Sequence, residues 1–537
     1  MIHPEARVKP TLAQRVRQLA AERPDDTSYV CEEQTLSWRG YDQASTRLAV
    51  SLADGLALGR GERVAVLLPD GPGIHCAFLG CEKAGVIAVG IGPRAGRQEI
   101  EHLIRVTQSS TLISAREHQE LATADIVRGL AEQGTSLRHH LVVEGELGLG
   151  GQLTFEGAPA PEGNPAVLDG RGMAVDELFL LNSTSGTTGM PKCVTHDQAR
   201  WLAFHDLALR HGDLFAGDVF MSVVPAPFGF GIWTSHVTPT LLGVPTVVMP
   251  RFDASLAMAL VEKHRVTVLA AVSTQFIMML NALESRARDL SSLRVLFTGG
   301  ERVPYERAAE FEERTGARVL QFYGSNETGA VSGTSLRDTR EKRLRTAGKV
   351  IPEMNVRLFD EDGHDVTHKG RGQPGCKGPT LSRGYYGDGP DSVLGNAQLI
   401  RDDGWMLLGD LVSLDQEGYL EVIGRSDDFI VRGGKNISGP GVEEQVASHP
   451  SIALAAAVAM PDAVFGERVC VYVELRPGAD TPTLDDVIEH LRVRNASKES
   501  WPERLEIVDA LPRGSGGKVA KQALRDDIRR RLASESR

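Results

Sequence analysis

Twice along this chain, apolar runs of strand length alternate with helical segments across Gly and Pro breaks, and that rhythm restricts it to few folds. In the first stretch Val64 to Leu68 reads as a strand, Ile74 to Lys83 as a helix and Val86 to Val89 as a second strand. In the second, strands at Val266 to Val272, Leu293 to Phe297 and Val319 to Phe322 alternate with helices at Thr274 to Leu283 and Pro304 to Arg314. Strands that are apolar on both faces and joined by helices predict an α/β fold with buried sheets. At 537 residues the chain is too long for one core, so a second domain is expected. After Gly370 the connections turn rich in Gly and Pro, and a tight polar segment, G-R-S-D-D, spans 424–428. We place a hinge there, between a large domain over 1–424 and a small, mobile α+β domain over 425–537. Short strands at Ala455 to Ala459, Val469 to Leu475 and Leu505 to Val508, with helices at Val442 to Ser448 and Leu484 to Leu491, make up the latter.

Charge and cysteine usage narrow the function classes. A net charge of −12 argues against a nucleic-acid surface, which needs clustered Lys and Arg to neutralise phosphates. The run Arg529-Arg530-Arg531 reads as the solvated end of a terminal helix. Six cysteines with no C-x-x-C pair suggest neither a disulfide scaffold nor a zinc site, and fit a reducing cytosol. The longest apolar runs, near Val86 to Ile91 and Ile452 to Met460, fall short of a membrane span, and the N-terminus carries no apolar signal core. A cytoplasmic enzyme with no membrane partner is expected.

The most telling local motif is S-T-S-G-T-T-G-M-P-K at 183–192. Ser185, Thr187 and Thr188 around Gly186 and Gly189 make a loop whose N–H and O–H donors can wrap a polyphosphate, with Lys192 adding charge. It is not a Walker loop, because Met190 and Pro191 separate Gly189 from the lysine and Cys193 follows it. Taken alone, the segment has a second, weaker reading as a Ser/Thr/Gly surface linker. Four further segments stand with it. Gly299-Gly300-Glu301 and Q-F-Y-G-S-N-E at 321–327 each close a predicted strand, and strand ends are where open α/β sheets bind ligands. Glu327 there is the natural ligand for nucleotide-bound Mg²⁺. W-M-L-L-G-D-L sets Asp410 after a turn glycine, suited to accept from two ribose hydroxyls, with Arg425 able to reach the same sugar. P-R-G-S-G-G-K-V at 512–519 presents Lys518 on a glycine-rich loop.

In this order and spacing the segments resemble the adenylate-forming superfamily of acyl-CoA synthetases, peptide-synthetase adenylation domains and luciferases. The resemblance runs from about Gly61 to about Ala523. It implies a two-step reaction in which a carboxylate and ATP give acyl-AMP and pyrophosphate, and a thiol then displaces AMP. ATP, Mg²⁺ and coenzyme A are the implied cofactors. A carboxylate and ATP repel, so the site must supply positive potential where they meet. By the resemblance, Lys518 bridges the carboxylate and the α-phosphate, Glu327 holds the metal and Asn326 stands beside the phosphates. Thr184, Ser185, Gly186, Thr187, Thr188 and Lys192 hold the triphosphate. Gly299, Gly300, Glu301, Gln321, Phe322, Tyr323 and Gly324 line the adenine pocket, and Asp410 and Arg425 hold the ribose. Asp427 becomes the pivot on which the small domain turns, bringing Arg432, Gly433, Gly434 and Lys435 over the acyl-AMP as a channel for the pantetheine arm.

Three positions depart from the family pattern. Asn326 replaces the usual Thr, Leu408 stands where a hydroxyl residue is common, and Phe228 takes a position often held by histidine. Drift in a working ligase is one reading; the other is impaired adenylation, leaving an enzyme that performs the thiol step on acyl-AMP from a separate adenylating partner. The implied acyl pocket comprises Phe228, Gly229, Trp233, Ser273, Thr298, Ser325, Ala330 and Val331. It offers aromatic walls and no cation for a second acid or an α-amino group, which predicts a bulky hydrophobic monocarboxylic acid, alicyclic, polycyclic or medium-chain. Trp233 and His236 can equally be plain core and surface residues. A carrier-protein thiol in place of CoA, a homodimer, and a nucleotide-binding protein without turnover stay open.

Overall fold

The strand–helix alternation of the sequence becomes two large sheets with helices around them. The structure, a computed structural model, describes residues 9–535 except 156, 161–162, 184–189, 286, 301–302, 388, 426–427, 433–434, 463, 495, 499–500 and 515–517; the side chains of 284–285, 425 and 435–436 also lie outside the description. One sheet has nine strands, in which Thr27–Cys31, Thr246–Val248, Phe220–Ser222, Val268–Ala270, Val295–Gly299 and Arg318–Ser325 run parallel. The other has eight, with Arg63–Leu67, Ile87–Gly90, Thr111–Ala115 and His139–Glu144 among its members. The helix Pro72–Ala84 is buried along its whole length and shares one apolar cluster with strands of both sheets. A helix wrapped on all sides tolerates no solvated face, and its Lys83 is accommodated by donating to Asp42, Ser45 and Thr46, at 2.7, 2.8 and 2.9 Å.

The Gly/Pro-rich segment after Gly370, expected as mere connection, is a strand. Arg371–Lys377 is central in a third sheet, between Asn355–Phe359 on one side and Met406–Leu407 and Asp410–Leu414 on the other. Its glycines serve packing rather than turning: a Cβ on Gly375 would lie 2.6 Å from the Phe359 ring, and one on Gly372 would lie 2.8 Å from the Phe359 carbonyl oxygen.

The C-terminal region forms a small α+β unit built on the long hairpin Ile452–Asp462 and Gly466–Leu475, with Phe429–Arg432, Lys435–Ser438 and Arg504–Ile507 completing its sheet. The helices Gly439–Ala447 and Leu484–Val493 cover one face, the second opened by a capping box between Thr483 and Asp486. The basic run near the C-terminus lies on the helix Lys521–Glu535, where Arg529, Arg530 and Arg531 pair with Asp526 and Asp527 one turn earlier. Among the described residues no helix is long and apolar enough to cross a membrane.

Candidate active site

Two neighbouring parallel strands, Val295–Gly299 and Arg318–Ser325, end side by side with Gly299 opposite Phe322. Their approach leaves no room for side chains: a Cβ on Gly299 would lie 2.2 Å from the Phe322 carbonyl oxygen. Gly300 then turns with φ +82°, a left-handed conformation suited to glycine. Lys518 Nζ donates to the Gly300 carbonyl oxygen at 2.5 Å, bringing the C-terminal ammonium onto the strand ends of the large domain. At the same edge Tyr323 Oη donates to Asp410 Oδ2 at 2.8 Å, and Asp410 pairs in register with Arg425. Gln321 and Phe322 face elsewhere. The Gln321 amide donates to the Arg343 carbonyl at 2.8 Å, and the Phe322 ring lies in the core against Trp233 and Phe297. Glu301 lies outside the described residues, as do Thr184, Ser185, Gly186, Thr187 and Thr188 of the phosphate loop and the side chain of Arg425.

Asn326 and Glu327 sit at the tip of the hairpin between Arg318–Ser325 and Gly329–Gly333. Ser325 Oγ accepts from the Glu327 and Thr328 N–H groups at 3.2 and 3.1 Å, so the residue expected in the acyl pocket instead builds the turn. Gly324 makes the turn possible, since its Cβ would overlap the Gly329 carbonyl oxygen at 1.7 Å. Glu327 Oε1 accepts from Tyr385 Oη at 2.8 Å, and Lys192 Nζ lies 4.8 Å from the centre of the Tyr385 ring. Burial, and then the Glu327 charge, push the Tyr385 hydroxyl far above its usual range, so it stays protonated and donates. Tyr385 belongs to G-Y-Y-G at 384–387, which read as a turn-rich connection; only the fold carries it to Glu327.

Asn326 is held from behind. Its amide exchanges hydrogen bonds with Asn182, at 2.7 Å from Nδ2 to Asn182 Oδ1 and 3.1 Å in return. Asn182 Oδ1 also lies 2.6 Å from His196 Nε2, and His196 Nδ1 lies 2.7 Å from Arg200 Nη1. Arg200 is fully buried; it donates to the Thr380 carbonyl at 2.9 Å, and Nη2 reaches the carbonyls of Asn326 and Glu327 at 3.1 and 3.4 Å. Burial lowers its pKa to about 10, which leaves it charged at neutral pH, and burial with the Arg200 charge keeps His196 neutral. The sequence offered little signal for Asn182, His196 or Arg200, since none belongs to a motif spaced for chemistry.

The segments expected around the acyl group are apolar and packed. Trp233 stacks on Phe297 with ring centres 5.8 Å apart and meets Phe322 edge-on at 4.8 Å, with Phe204 and Phe230 beside it. Phe228, Ser273, Thr298, Ala330 and Val331 are all buried. Gly229 has no room for a side chain, because its Cβ would lie 2.5 Å from Asn326 Oδ1. His236, weighed as a surface residue, is buried: its Nδ1 lies 3.2 Å from His75 Nδ1, and Tyr29 stacks on His75.

In the small domain, Arg432 Nη1 donates to Glu503 Oε1 at 2.5 Å. Lys435 pairs with Arg432 through the backbone, while Gly433, Gly434 and Asp427, the expected pivot, lie outside the described residues. Asp428, next to that pivot, is anchored by Arg525 at 2.9 Å and Lys521 at 3.3 Å.

With this geometry in hand, two family matches cover most of the chain: "AMP-binding enzyme" over residues 16–386 and "AMP-binding enzyme C-terminal domain" over 441–518. The chain belongs to the AMP-binding enzyme family. It is 30% identical over 529 residues to a medium-chain fatty-acid–CoA ligase of Escherichia coli strain K12, covering 98% of this chain and 92% of that protein. It is 31% identical over 519 residues to pyochelin synthase PchD of Pseudomonas aeruginosa, covering 96% and 92%. Among solved structures it is similar to the anthranilate CoA ligase AuaEII bound to anthranoyl-AMP, with a TM-score of 0.85, 22% identity and 98% and 99% coverage. This AMP-binding enzyme is thus an ATP-dependent acid–thiol ligase that works through acyl-AMP and uses ATP, Mg²⁺ and coenzyme A.

Its own residues suit that chemistry. Glu327, a half-buried carboxylate steadied by one hydroxyl, has the donor type that Mg²⁺ takes on nucleotides; it would hold the ion, which supplies charge neutralisation at the phosphates. The Lys518 ammonium on the Gly300 carbonyl adds positive potential at the strand ends. The buried Arg200 guanidinium contributes a fixed charge behind the Asn326–Glu327 turn and holds its carbonyls.

Proposed function

We propose that this enzyme activates a bulky hydrophobic monocarboxylic acid and transfers it to the thiol of coenzyme A. The observation that carries the adenylation half is the Lys518 contact with Gly300, beside the Tyr323–Asp410 pair. An ammonium delivered there from the small domain serves as the bridge between the acid and the α-phosphate, with Asp410 and Arg425 on the ribose and Glu327 on the metal. The hydrophobic substrate class is supported by the aromatic group of Trp233, Phe230, Phe204, Phe297 and Phe322, and by the lack of Lys or Arg in the segments 228–233, 271–273, 298–300 and 324–331. The name of one relative, a medium-chain fatty-acid–CoA ligase, is in keeping with that class. The small domain then turns about Asp427 and presents Arg432, Gly433, Gly434 and Lys435 for the thiol step.

A panel of aliphatic, alicyclic and aromatic acids with ATP, Mg²⁺ and CoA, read by AMP release and thioester mass, tests this. Thioesters confined to small or dicarboxylic acids would overturn the substrate class. Absence of acid-dependent pyrophosphate exchange alongside turnover of supplied acyl-AMP would instead favour a thioesterification-only enzyme. Likeness to pyochelin synthase PchD and to a 2,3-dihydroxybenzoate-AMP ligase of Bacillus subtilis motivates a parallel incubation with a phosphopantetheinylated carrier protein; preferential loading of that thiol would replace CoA as the acceptor.

A further inference from the structure

The chain Arg200, His196, Asn182, Asn326 has a direction that chemistry dictates. A guanidinium cannot accept a hydrogen bond, so at 2.7 Å from Arg200 Nη1 the His196 Nδ1 must be the unprotonated acceptor. The imidazole proton then sits on Nε2 and is donated over 2.6 Å to Asn182 Oδ1. That fixes which end of the Asn182 amide is oxygen, and its NH₂ is left to donate to Asn326 Oδ1 at 3.1 Å. The Asn326 amide is oriented in turn, with Nδ2 aimed at Asn182 Oδ1 at 2.7 Å and the Ser183 carbonyl at 3.4 Å. Every group in the chain except Asn326 is fully buried, where an unmatched partner is costly. Asn182 and Ser183 end the strand Leu178–Ser183 that leads into the phosphate loop, while Asn326 precedes Glu327. Gly229 leaves the space this amide occupies.

We propose that Arg200, His196, Asn182 and Asn326 form a directional hydrogen-bond relay that sets the spacing between the Glu327 turn and the strand end entering the phosphate loop, with Asn182 and Asn326 as a matched pair. Asn326 is therefore a positioning residue whose amide hydrogens are committed to the protein, and its departure from the threonine common in the family is compensated at Asn182 and Gly229. A threonine at 326 carries its hydroxyl at the position of the Asn326 Cγ, one bond short of the Nδ2 and Oδ1 atoms that stand 2.7 and 3.1 Å from Asn182, and so falls short of the two ends of that amide. The relay rests on the ligase reading, because it acts on the nucleotide-handling half of the site.

The test is a double-mutant cycle in the full-length protein on Asn182→Ala, Asn326→Ala and the double variant. Pyrophosphate exchange uses the best acid from the panel above, and calorimetry measures the Kd of Mg²⁺ with the α,β-methylene analogue of ATP. Each single change is expected to raise KM for MgATP and that Kd by about 10-fold, and the double to exceed the worse single by no more than about 2-fold. Thioester formation from supplied acyl-AMP should stay within about 2-fold of wild type, a split that general structural damage would not produce. Asn326→Thr, a mild change that serves should an alanine variant not fold, is expected to match Asn326→Ala. Nitrogen NMR of the wild type should show His196 as the neutral Nε2–H tautomer. Multiplicative losses in the double variant, equal losses in both half-reactions, a wild-type Kd in Asn326→Thr, or an Nδ1–H tautomer would each overturn the relay. A wild type inactive with every acid would remove the ligase reading, while the Kd cycle and the tautomer would still decide the relay.

Discussion

Replacing Gly229 with alanine separates two roles that meet at one atom. The added Cβ would stand 2.5 Å from Asn326 Oδ1, whereas ordinary contact begins near 3.4 Å, so the amide must retreat by about 0.9 Å. That oxygen accepts from Asn182 Nδ2 at 3.1 Å, and a retreat directed along that bond would take the pair to at most about 4 Å, beyond hydrogen-bonding reach. Asn182 is fully buried, so its NH₂ is left unpaired at a cost of about 1–3 kcal/mol. If the Glu327 turn transmits this loss to nucleotide handling, kcat/KM for MgATP in pyrophosphate exchange falls by about 5- to 150-fold. KM for the acid should change by less than about 3-fold, because one methyl group in an apolar wall alters binding modestly. Steady-state exchange with ATP and acid varied in turn gives both numbers. A loss confined to the acid's KM would refute the reasoning and return Gly229 to the acyl pocket alone; an unchanged enzyme would refute both.

Three further outcomes follow from the geometry. Lys518→Ala should lower acid-dependent pyrophosphate exchange by at least about 100-fold while leaving thioester formation from supplied acyl-AMP within about 3-fold, as the separate half-reactions will report. Tyr385→Phe removes the 2.8 Å hydrogen bond to Glu327 and should raise the Mg²⁺ concentration for half-maximal exchange by about 10-fold, measured in a magnesium titration at fixed ATP. Burial lowers the pKa of His236 to about 3 and that of His205 to about 4, while in the unfolded chain each takes its proton near pH 6.5. Their contribution is complete above pH 6.5 and is lost as the pH falls from there toward 4 and 3, by roughly 2 kcal/mol per histidine at pH 5. Urea midpoints between pH 7.5 and 5 should show a shallower decline for His236→Gln than for wild type; parallel declines would remove that histidine from the account.

The chemistry of the site was legible wherever it depended on local pattern. Q-F-Y-G-S-N-E placed Glu327 at a strand end and Gly299-Gly300 at the end of the strand before it, because strand ends and the turns that follow them are made by neighbours in the chain. Legibility failed where a side chain's direction depends on what packs against it. Phe322 and Gln321 read as adenine neighbours, yet one ring completes an aromatic core with Trp233 and the other amide is tied to Arg343. The strand Arg371–Lys377 was hidden because Gly and Pro locally signal turns, whereas Gly372 and Gly375 serve there to leave room for Phe359.

By itself the order of residues determined the class of fold, the family and the placing of Lys518 and Glu327 on loops, since periodicity, turn residues and motif spacing are properties of short stretches. Only the tertiary structure decided that Tyr385 reaches Glu327, that Lys518 lies on Gly300, and that Asn326 is answered by Asn182, His196 and Arg200. Those partners are separated by 58, 218 and 144 positions in the first three pairs, and no local preference couples residues so far apart. What joins them is the demand that buried polar groups find one another once the sheets have closed.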